Sequence, residues 1–466
     1  MISVAQMREW EKASWDAGRT EAEVIRQVGK VVAARALSLT KAGDTVLLLA
    51  GKGHNGDDVR AAHENLAGQR VTELLEVTSP DSDLAKLESA LARRPALLVD
   101  GLFGIGLNRP LDESWMAFVK RINHEKLLVL AVDVPSGLNA DTGEPMGAVV
   151  EASVTLTVGA PKQGLLRTEA ADYVGCFEVA HDVGLIPCPH KSDLLWTLPE
   201  DFVGFPPRRP ATGHKGNFGH LAIIAGSLGY HGAAVLAARA AQRAQPGLIT
   251  VLTQESVYHS VAAQLQAVMV NVLQLQTPFP PGFGAFLIGP GLVSPELAEM
   301  KISVRRFWRD LSEPVLVDAT ALDWLASDPI LKNKVRVITP HPGEAARLLK
   351  MPSKNVQADR RAALRELSRR YGNCWVVLKG HQTLIGRDTG DIFVNPSGNP
   401  HLAQGGSGDA LAGFIAGLLA QPALQADPAK TIRYAVWQHG LAADHLQMTR
   451  RNWVVEDLIE TLGNVT

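Results

Sequence analysis

The chain has 466 residues, 46% of them hydrophobic and 20% charged, with a formal net charge of −2. One hydrophobic core rarely serves that length, so two domains are expected, and near-neutrality with no basic patch argues against nucleic acid as the main partner. Cys176, Cys188 and Cys374 are odd in number and lack C-x-x-C spacing, so neither a disulfide framework nor a zinc site is indicated. Arg8, Glu9, Glu11 and Lys12 fall where a signal peptide needs an apolar run, and no stretch of 18 apolar residues occurs, so a cytoplasmic protein without membrane contact is expected.

In chain order, short β-rich apolar runs alternate with helical patterns. The first half predicts strands at Thr45–Ala50, Ala96–Val99, Leu127–Val132 and Ser153–Val158. Gly51-Lys-Gly-His-Asn-Gly-Asp-Asp58 follows the first of these, with a helix expected to begin near Val59. Val99-Asp100-Gly-Leu-Phe-Gly-Ile-Gly106 and Val132-Asp133-Val-Pro-Ser-Gly137 each put a carboxylate at a strand end. From Pro187 to Gly216 the periodicity lapses among six prolines, which places the domain boundary near residue 208.

The second half predicts strands at His220–Ala225, Leu248–Thr253, Ala285–Ile288, Val315–Val317, Val335–Ile338 and Cys374–Leu378. Nearly every one ends in a glycine- or acid-bearing loop, as expected of doubly wound, mostly parallel α/β layers with ligands at the carboxyl ends of the strands. The richest loop is Gln404-Gly405-Gly406-Ser407-Gly408-Asp409, followed by a small-residue apolar run. Glycines opening a helix aim free N–H groups and the positive end of the dipole at one point, which suits an anion. Asp409 adds a carboxylate able to take a proton from a hydroxyl, the equipment of phosphoryl transfer. A plainer reading is an N-capping aspartate after a flexible turn. No G-x-x-x-x-G-K-[ST] occurs, so the phosphate cradle must be this helix start.

The ordered set His214-Lys-Gly216, Gly289-Pro-Gly291, Thr339-Pro-His-Pro-Gly-Glu344, Lys379-Gly380 and Gly405–Asp409 resembles the NAD(P)H-hydrate dehydratases, a branch of the ribokinase-like fold. The three first-half loops resemble the NAD(P)H-hydrate epimerase domain often fused ahead of them. The resemblance implies residues 1–207 as a Rossmann-like three-layer α/β epimerase domain and 208–466 as a ribokinase-like α/β dehydratase domain. It implies a homo-oligomer acting on NADHX and NADPHX, with ADP as the nucleotide. In the dehydratase, Asp409 would be the general base, Ala233, Gly291, His341 and Asp409 would contact the hydrated cofactor, and Lys379, Gly380, His381, Gln382, Thr383 and Gly408 the nucleotide. In the epimerase, Asn55, Asp100 and Ser136 would hold potassium. His54, Asn55, Gly56, Asp57 and Asp58, together with Gly104, Ile105, Gly106, Leu107, Asn108, Arg109 and Pro110, would contact substrate, and Asp133 would be the acid or base. Plain alternatives are a loop cap for His341, a solvated strand-end lysine for Lys379, and caps or turns for Asp100 and Asp133. Magnesium is expected with ADP, since no carboxylate cluster has ligand spacing.

The family's Asn-Asn-Gly-Gly-Asp-Gly is here His54-Asn55-Gly56-Asp57-Asp58-Val59. Asp57 beside a pyrophosphate would repel it and Val59 would obstruct a backbone approach, so weakened epimerisation is expected. Two other readings remain: a ribokinase-like small-molecule kinase releasing a phosphorylated product, and a first half reduced to ligand sensing.

Overall fold

A computed structural model describes residues 1–274, 282–293, 298–327, 334–450 and 452–465. The chain divides into two compact units, Met1–Ser192 and Asp193–Thr466.

The first unit runs α1 (Val4–Asp16), α2 (Glu21–Leu39), β1 (Thr45–Ala50), α3 (His54–Leu66), β2 (Val71–Glu76), α4 (Pro80–Leu91), β3 (Leu97–Gly101), α5 (Glu113–His124), β4 (Val129–Val132), β5 (Val154–Val158), α6 (Ala171–Val174) and β6 (Cys176–Ala180). Its six strands form a parallel sheet in the order β2-β1-β3-β4-β5-β6. Successive strand side chains point to opposite faces. Val46, Leu48 and Ala50 accordingly pack with α2 and α3, while Leu47 and Leu49 pack with α4 and α5, which makes the three layers expected.

The second unit runs β7 (Leu194–Trp196), β8 (His220–Ile224), α7 (His231–Arg243), β9 (Leu248–Thr253), α8 (Tyr258–Ala262), β10 (Met269–Val272), β11 (Ala285–Ile288), α9 (Ala298–Asp310), β12 (Val315–Val317), β13 (Arg336–Ile338), α10 (Pro342–Leu349), α11 (Ser353–Ala358), α12 (Arg360–Arg370), β14 (Trp375–Leu378), β15 (Leu384–Gly386), β16 (Ile392–Val394), α13 (Ser407–Leu419), α14 (Pro422–Gln425), α15 (Pro428–Thr449) and α16 (Val455–Thr461). The sheet order is β10-β9-β8-β11-β12-β13-β14-β15-β16-β7, parallel except where β15 meets β14 and β16. Residues 193–207, which composition assigns to the first half, pack with this unit because β7 pairs with β16.

Every expected strand is present. α3, however, begins at His54 rather than near Val59, so Asn55 to Asp58 are helical. Small residues set the position of α13: a Cβ on Gly413 would stand 2.1 Å from the Ala237 carbonyl oxygen and one on Gly417 2.7 Å from Ala244 Cβ. The close seating of α13 on α7 fixes where its first turn points.

Candidate active sites

In the second unit, Gly406 caps α13 in the left-handed region (φ 93°) and Ser407, Gly408 and Asp409 form its first turn. A side chain at Gly406 would be strained there, which explains glycine at that place. Among the described residues no side chain caps this N-terminus, which leaves the Gly408 and Asp409 N–H groups for a ligand. Burial, reinforced by the charge of Asp318, pushes the Asp409 carboxyl up to about 7 against the pull of Lys379. A carboxylate poised near neutrality suits a general base.

Lys379 closes the strand-end loops around this turn. Its Nζ lies 3.0 Å from Asp318 Oδ1 and 3.9 Å from Glu344 Oε2, and a Cβ on Gly408 would stand 3.4 Å from it. Burial opposes its charge, but Asp318, Glu344 and Asp409 outweigh that and hold the ammonium above its ordinary value. Asp318 Oδ1 also accepts a 2.6 Å hydrogen bond from Thr339 Oγ1. Lys379 is therefore a largely buried, paired cation and not a solvated strand end.

His341 does cap its loop. Its Nδ1 accepts the Gly343 amide at 3.0 Å while Glu344 Oε2 accepts the His341 amide at 2.8 Å. That cap engages Nδ1 and leaves the half-exposed ring's Nε2 toward solvent and Glu344 Oε1, 3.6 Å away. Gly291 meets Ala233: a Cβ on the glycine (φ 64°) would come within 2.9 Å of the alanine methyl. Gly289, similarly, leaves room for the Asp318 carbonyl. The 379–383 loop is pinned by Arg360 of α12, which donates to the carbonyls of Leu378 (3.0 Å), Gln382 (3.3 Å) and His381. Thr383 Oγ1 donates to the Gly380 carbonyl at 3.0 Å. Burial and the facing Arg360 push His381 down from its ordinary value.

Asp318, Arg360 and His439 are members that sequence reading did not assign. Asp318 had a signal, an acid at a strand end. Arg360 and His439 had none, because they act through backbone carbonyls. His439 Nε2 donates to the Ser407 carbonyl at 3.1 Å, and burial pushes the ring down to about 4.

In the first unit, Asp100 is fully buried. Its Oδ1 accepts from Ser136 Oγ at 2.6 Å and the Leu102 amide at 3.2 Å, and its Oδ2 from the Ser136 amide at 2.9 Å. Burial raises its pKa despite these bonds. Asn55 Nδ2 donates to the Phe103 carbonyl at 3.1 Å, and Ser136 Oγ accepts the Phe103 amide. Asn55, Asp100 and Ser136 thus converge on one loop. A Cβ on Gly104 would meet Asn55 at 3.3 Å, and one on Gly56 the Gly51 carbonyl at 2.1 Å.

Ile105 packs near Ile2, Met7 and Trp10, Leu107 is half-buried, and Gly106, Asn108, Arg109 and Pro110 are exposed. His54 is exposed, with Nε2 2.7 Å from Glu21 Oε1.

The two substitutions in this loop sit otherwise than expected. Val59 is fully buried and its Cγ2 occupies the space beside Gly101, so it fills core and obstructs no backbone approach. Asp57 pairs with Arg60 Nη1 at 2.8 Å, and the same guanidinium holds Glu76 and the Gly51 carbonyl, so the added charge has a fixed partner. Asp58 is buried, and burial with the charges of Asp133, Asp57 and Glu11 raises it well above the usual carboxylate range. Asp133 (φ 62°) accepts at Oδ1 from Thr157 Oγ1 (3.1 Å), the Val158 amide (3.0 Å) and Lys162 Nζ (2.5 Å). Lys162 and Glu11 were not anticipated as site members.

Residues 221–463 match the family model described as NAD(P)H-hydrate dehydratase, and residues 31–164 that of the YjeF-related protein N-terminus. The chain is 34% identical to the bifunctional NAD(P)H-hydrate repair enzyme Nnr of Gloeobacter violaceus, over 96% of this chain and 93% of that protein. It is 33% identical to the enzyme of the same name in Coxiella burnetii, over 94% and 93%. Among solved structures, an ADP/ATP-dependent NAD(P)H-hydrate dehydratase of Bacillus subtilis, co-crystallised with ATP and Mg²⁺, superposes with a TM-score of 0.50 at 31% identity, over 55% of this chain and 92% of that one. A ribokinase-like superfamily protein of Enterococcus faecalis gives 0.52 at 26% identity, over 59% and 96%. Two units of these kinds, in this order and over nearly the full length of such relatives, place the chain in the family of bifunctional NAD(P)H-hydrate repair enzymes.

Proposed function

We propose that the second unit dehydrates S-NADHX and S-NADPHX at the expense of ADP. The observation that carries this reading is Asp409, near neutrality, in the uncapped first turn of α13 beside the Lys379–Asp318 pair. Asp409 takes the proton of the C6 hydroxyl as its oxygen attacks the terminal phosphorus, and the bond to AMP breaks. The N–H groups at the start of α13 and the Lys379 ammonium face the transferring phosphoryl and offset its charge. The phosphate ester then leaves C6, pushed by the ring nitrogen's lone pair, and loss of the C5 proton restores the dihydropyridine. ADP thereby ends as AMP and phosphate. Magnesium, when bound, screens the phosphate charges; among the described residues no group of three or more His, Cys, Asp or Glu could hold a metal, so the nucleotide's own oxygens fit it best. Purified protein with S-NADHX, with and without ADP, tests this: NADH absorbance returns only with nucleotide, and full-rate return without it refutes the mechanism.

The first unit is proposed to epimerise R- and S-NAD(P)HX, with Asp133 exchanging the hydroxyl proton. Potassium fits beside Asp100, a fully buried carboxylate whose described partners are all neutral donors. Asn55, Asp100 and Ser136 would supply its oxygen ligands, and the ion would lend positive charge near the substrate's pyrophosphate. With Asp57 paired and Val59 in the core, the obstruction expected of that loop loses its steric basis. A small-molecule kinase would share the Gly405–Asp409 cradle but gives no reason for the first unit. Three cysteines outside any disulfide among the described residues, two of them exposed, suit a reducing cytoplasm, and no described helix is long and apolar enough to cross a membrane.

A further inference from the structure

Lys162 lies in the loop after β5 with its whole side chain buried. A buried ammonium needs partners. It has three: Nζ donates to Asp133 Oδ1 at 2.5 Å, the Val158 carbonyl at 2.6 Å and Thr157 Oγ1 at 3.1 Å. The loop itself is anchored, because Ile2 donates to the Pro161 carbonyl and accepts from the Gln163 amide, each at 3.0 Å.

The consequence falls on Asp133. Its backbone leaves β4 in the left-handed region, which an aspartate tolerates better than most residues but which must be held. All of its described side-chain hydrogen bonds, from Thr157, Val158 and Lys162, go to Oδ1. We propose that Lys162 is the positioning residue of the epimerisation: by saturating Oδ1 it locks the carboxylate rotamer and leaves Oδ2 as the oxygen that exchanges the hydroxyl proton. This rests on reading the first unit as an epimerase.

The other ionisable groups around Asp133 come from α1 and α3. Glu11, with Arg8 near it, belongs to the first, and His54, Asp57 and Asp58 to the second. Asp58 and Glu11 both lie above the usual carboxylate range, from burial first and the charge of Asp133 second. Lys162 is thus the cation set against a ring of carboxylates. In the step itself, Oδ2 takes the C6 hydroxyl proton as the C6–N1 bond breaks and its electron pair goes to nitrogen. Nitrogen takes a proton from solvent water, and closure on the opposite face of the carbonyl returns both protons.

The test uses the full-length protein, with R- and S-NADHX interconversion followed by chromatography in potassium buffer across pH 5 to 9. In Lys162→Met, kcat should fall on the order of 10²-fold through misplacement of the base, with KM changed far less. The acid limb of kcat/KM should move to higher pH, since a cation facing the carboxylate is gone. ADP-dependent dehydration by the same molecules should stay at the wild-type rate, and a thermal melt of the first unit that matches the wild type reports an intact fold. Methylammonium added to Lys162→Ala should restore part of the lost kcat. An unchanged rate and profile overturns the inference, as does a loss of rate with neither a profile shift nor rescue, since that pattern marks a purely structural lysine. If the Lys162 variants do not fold, Thr157→Val decides: a smaller shift in the same direction supports the inference and no shift overturns it. Wild-type protein that fails to interconvert the epimers refutes the epimerase reading itself, and the inference with it.

Discussion

Lys379 Nζ sits 3.0 Å from Asp318 Oδ1, with Asp318 buried and Lys379 largely so beside the turn that carries Gly408 and Asp409. The pair makes the strand-end loops of the second unit one electrostatic assembly: the Asp409 carboxyl, the Lys379 ammonium and the Asp318 carboxylate that holds it all feel one another.

Asp409→Asn removes the base and keeps the glycine turn. Turnover of S-NADHX with ADP should fall by roughly 10² to 10⁴-fold. ADP affinity, measured by calorimetry, should change little; near-normal turnover would sink the assignment.

Asp318→Asn tests the coupling. Because the charge of Asp318 raises Asp409, its removal lowers the pKa of the base from about 7. The base must be ionised to act, so kcat/KM for dehydration falls off below about 7 in the wild type and the fall should begin at lower pH in the variant. A limb that stays in place, or moves up, contradicts this wiring.

Arg360→Ala should loosen the loop proposed to hold the nucleotide, because three carbonyls between Leu378 and Gln382 lose their donor. An unsatisfied part-buried group costs about 1–3 kcal/mol, so ADP binding should weaken by roughly 5- to 150-fold. Calorimetric titration reads it directly, and unaltered affinity would show that the loop holds itself.

Val59→Gly, a change toward the family pattern, should harm rather than help. The side chain fills core beside Gly101, and its loss from a helix should destabilise the first unit by about 2–3 kcal/mol. Asp57→Gly, at a half-exposed ion pair, should matter less. Thermal melting separates the two, and a stabilised Val59→Gly protein would refute the packing argument.

His439 bears on acid stability. Its pKa falls from 6.5 when unfolded to about 4 when folded, so between those values the unfolded chain binds the additional proton. Stability from this group is therefore complete above 6.5 and drains away as pH drops toward 4, by about 3 kcal/mol in all. His439→Gln should flatten that part of the melting-temperature profile; an equally steep decline would place the acid sensitivity elsewhere.

What the residues disclosed in advance follows burial. β1, β9, β11 and β12 read at their observed bounds because continuous apolar runs mark strands covered on both faces. β2, β6, β7 and β10 lie at sheet edges, and β15 and β16 form a three-residue antiparallel pair, so none carries such a run. In the sites, the glycine turn before Asp409 was legible because backbone geometry demands glycine there. Val59 was misjudged because the helix starts at His54, which turns that side chain inward. Lys162 could not be read at all, since a lysine after a strand normally goes to water and only the fold supplies its partners.

The pairing of β7 with β16 bears on how the protein can be cut. A fragment starting at 208 would strip Leu194–Trp196 from the sheet and leave the backbone of Ile392–Val394 as a naked edge. Unpaired strands of that kind template self-association. An excised dehydratase half begun at Asp193 should stay dispersed at concentrations where one begun fifteen or so residues later clumps, so sluggish behaviour of the shorter piece would speak of exposed edges and not of chemistry.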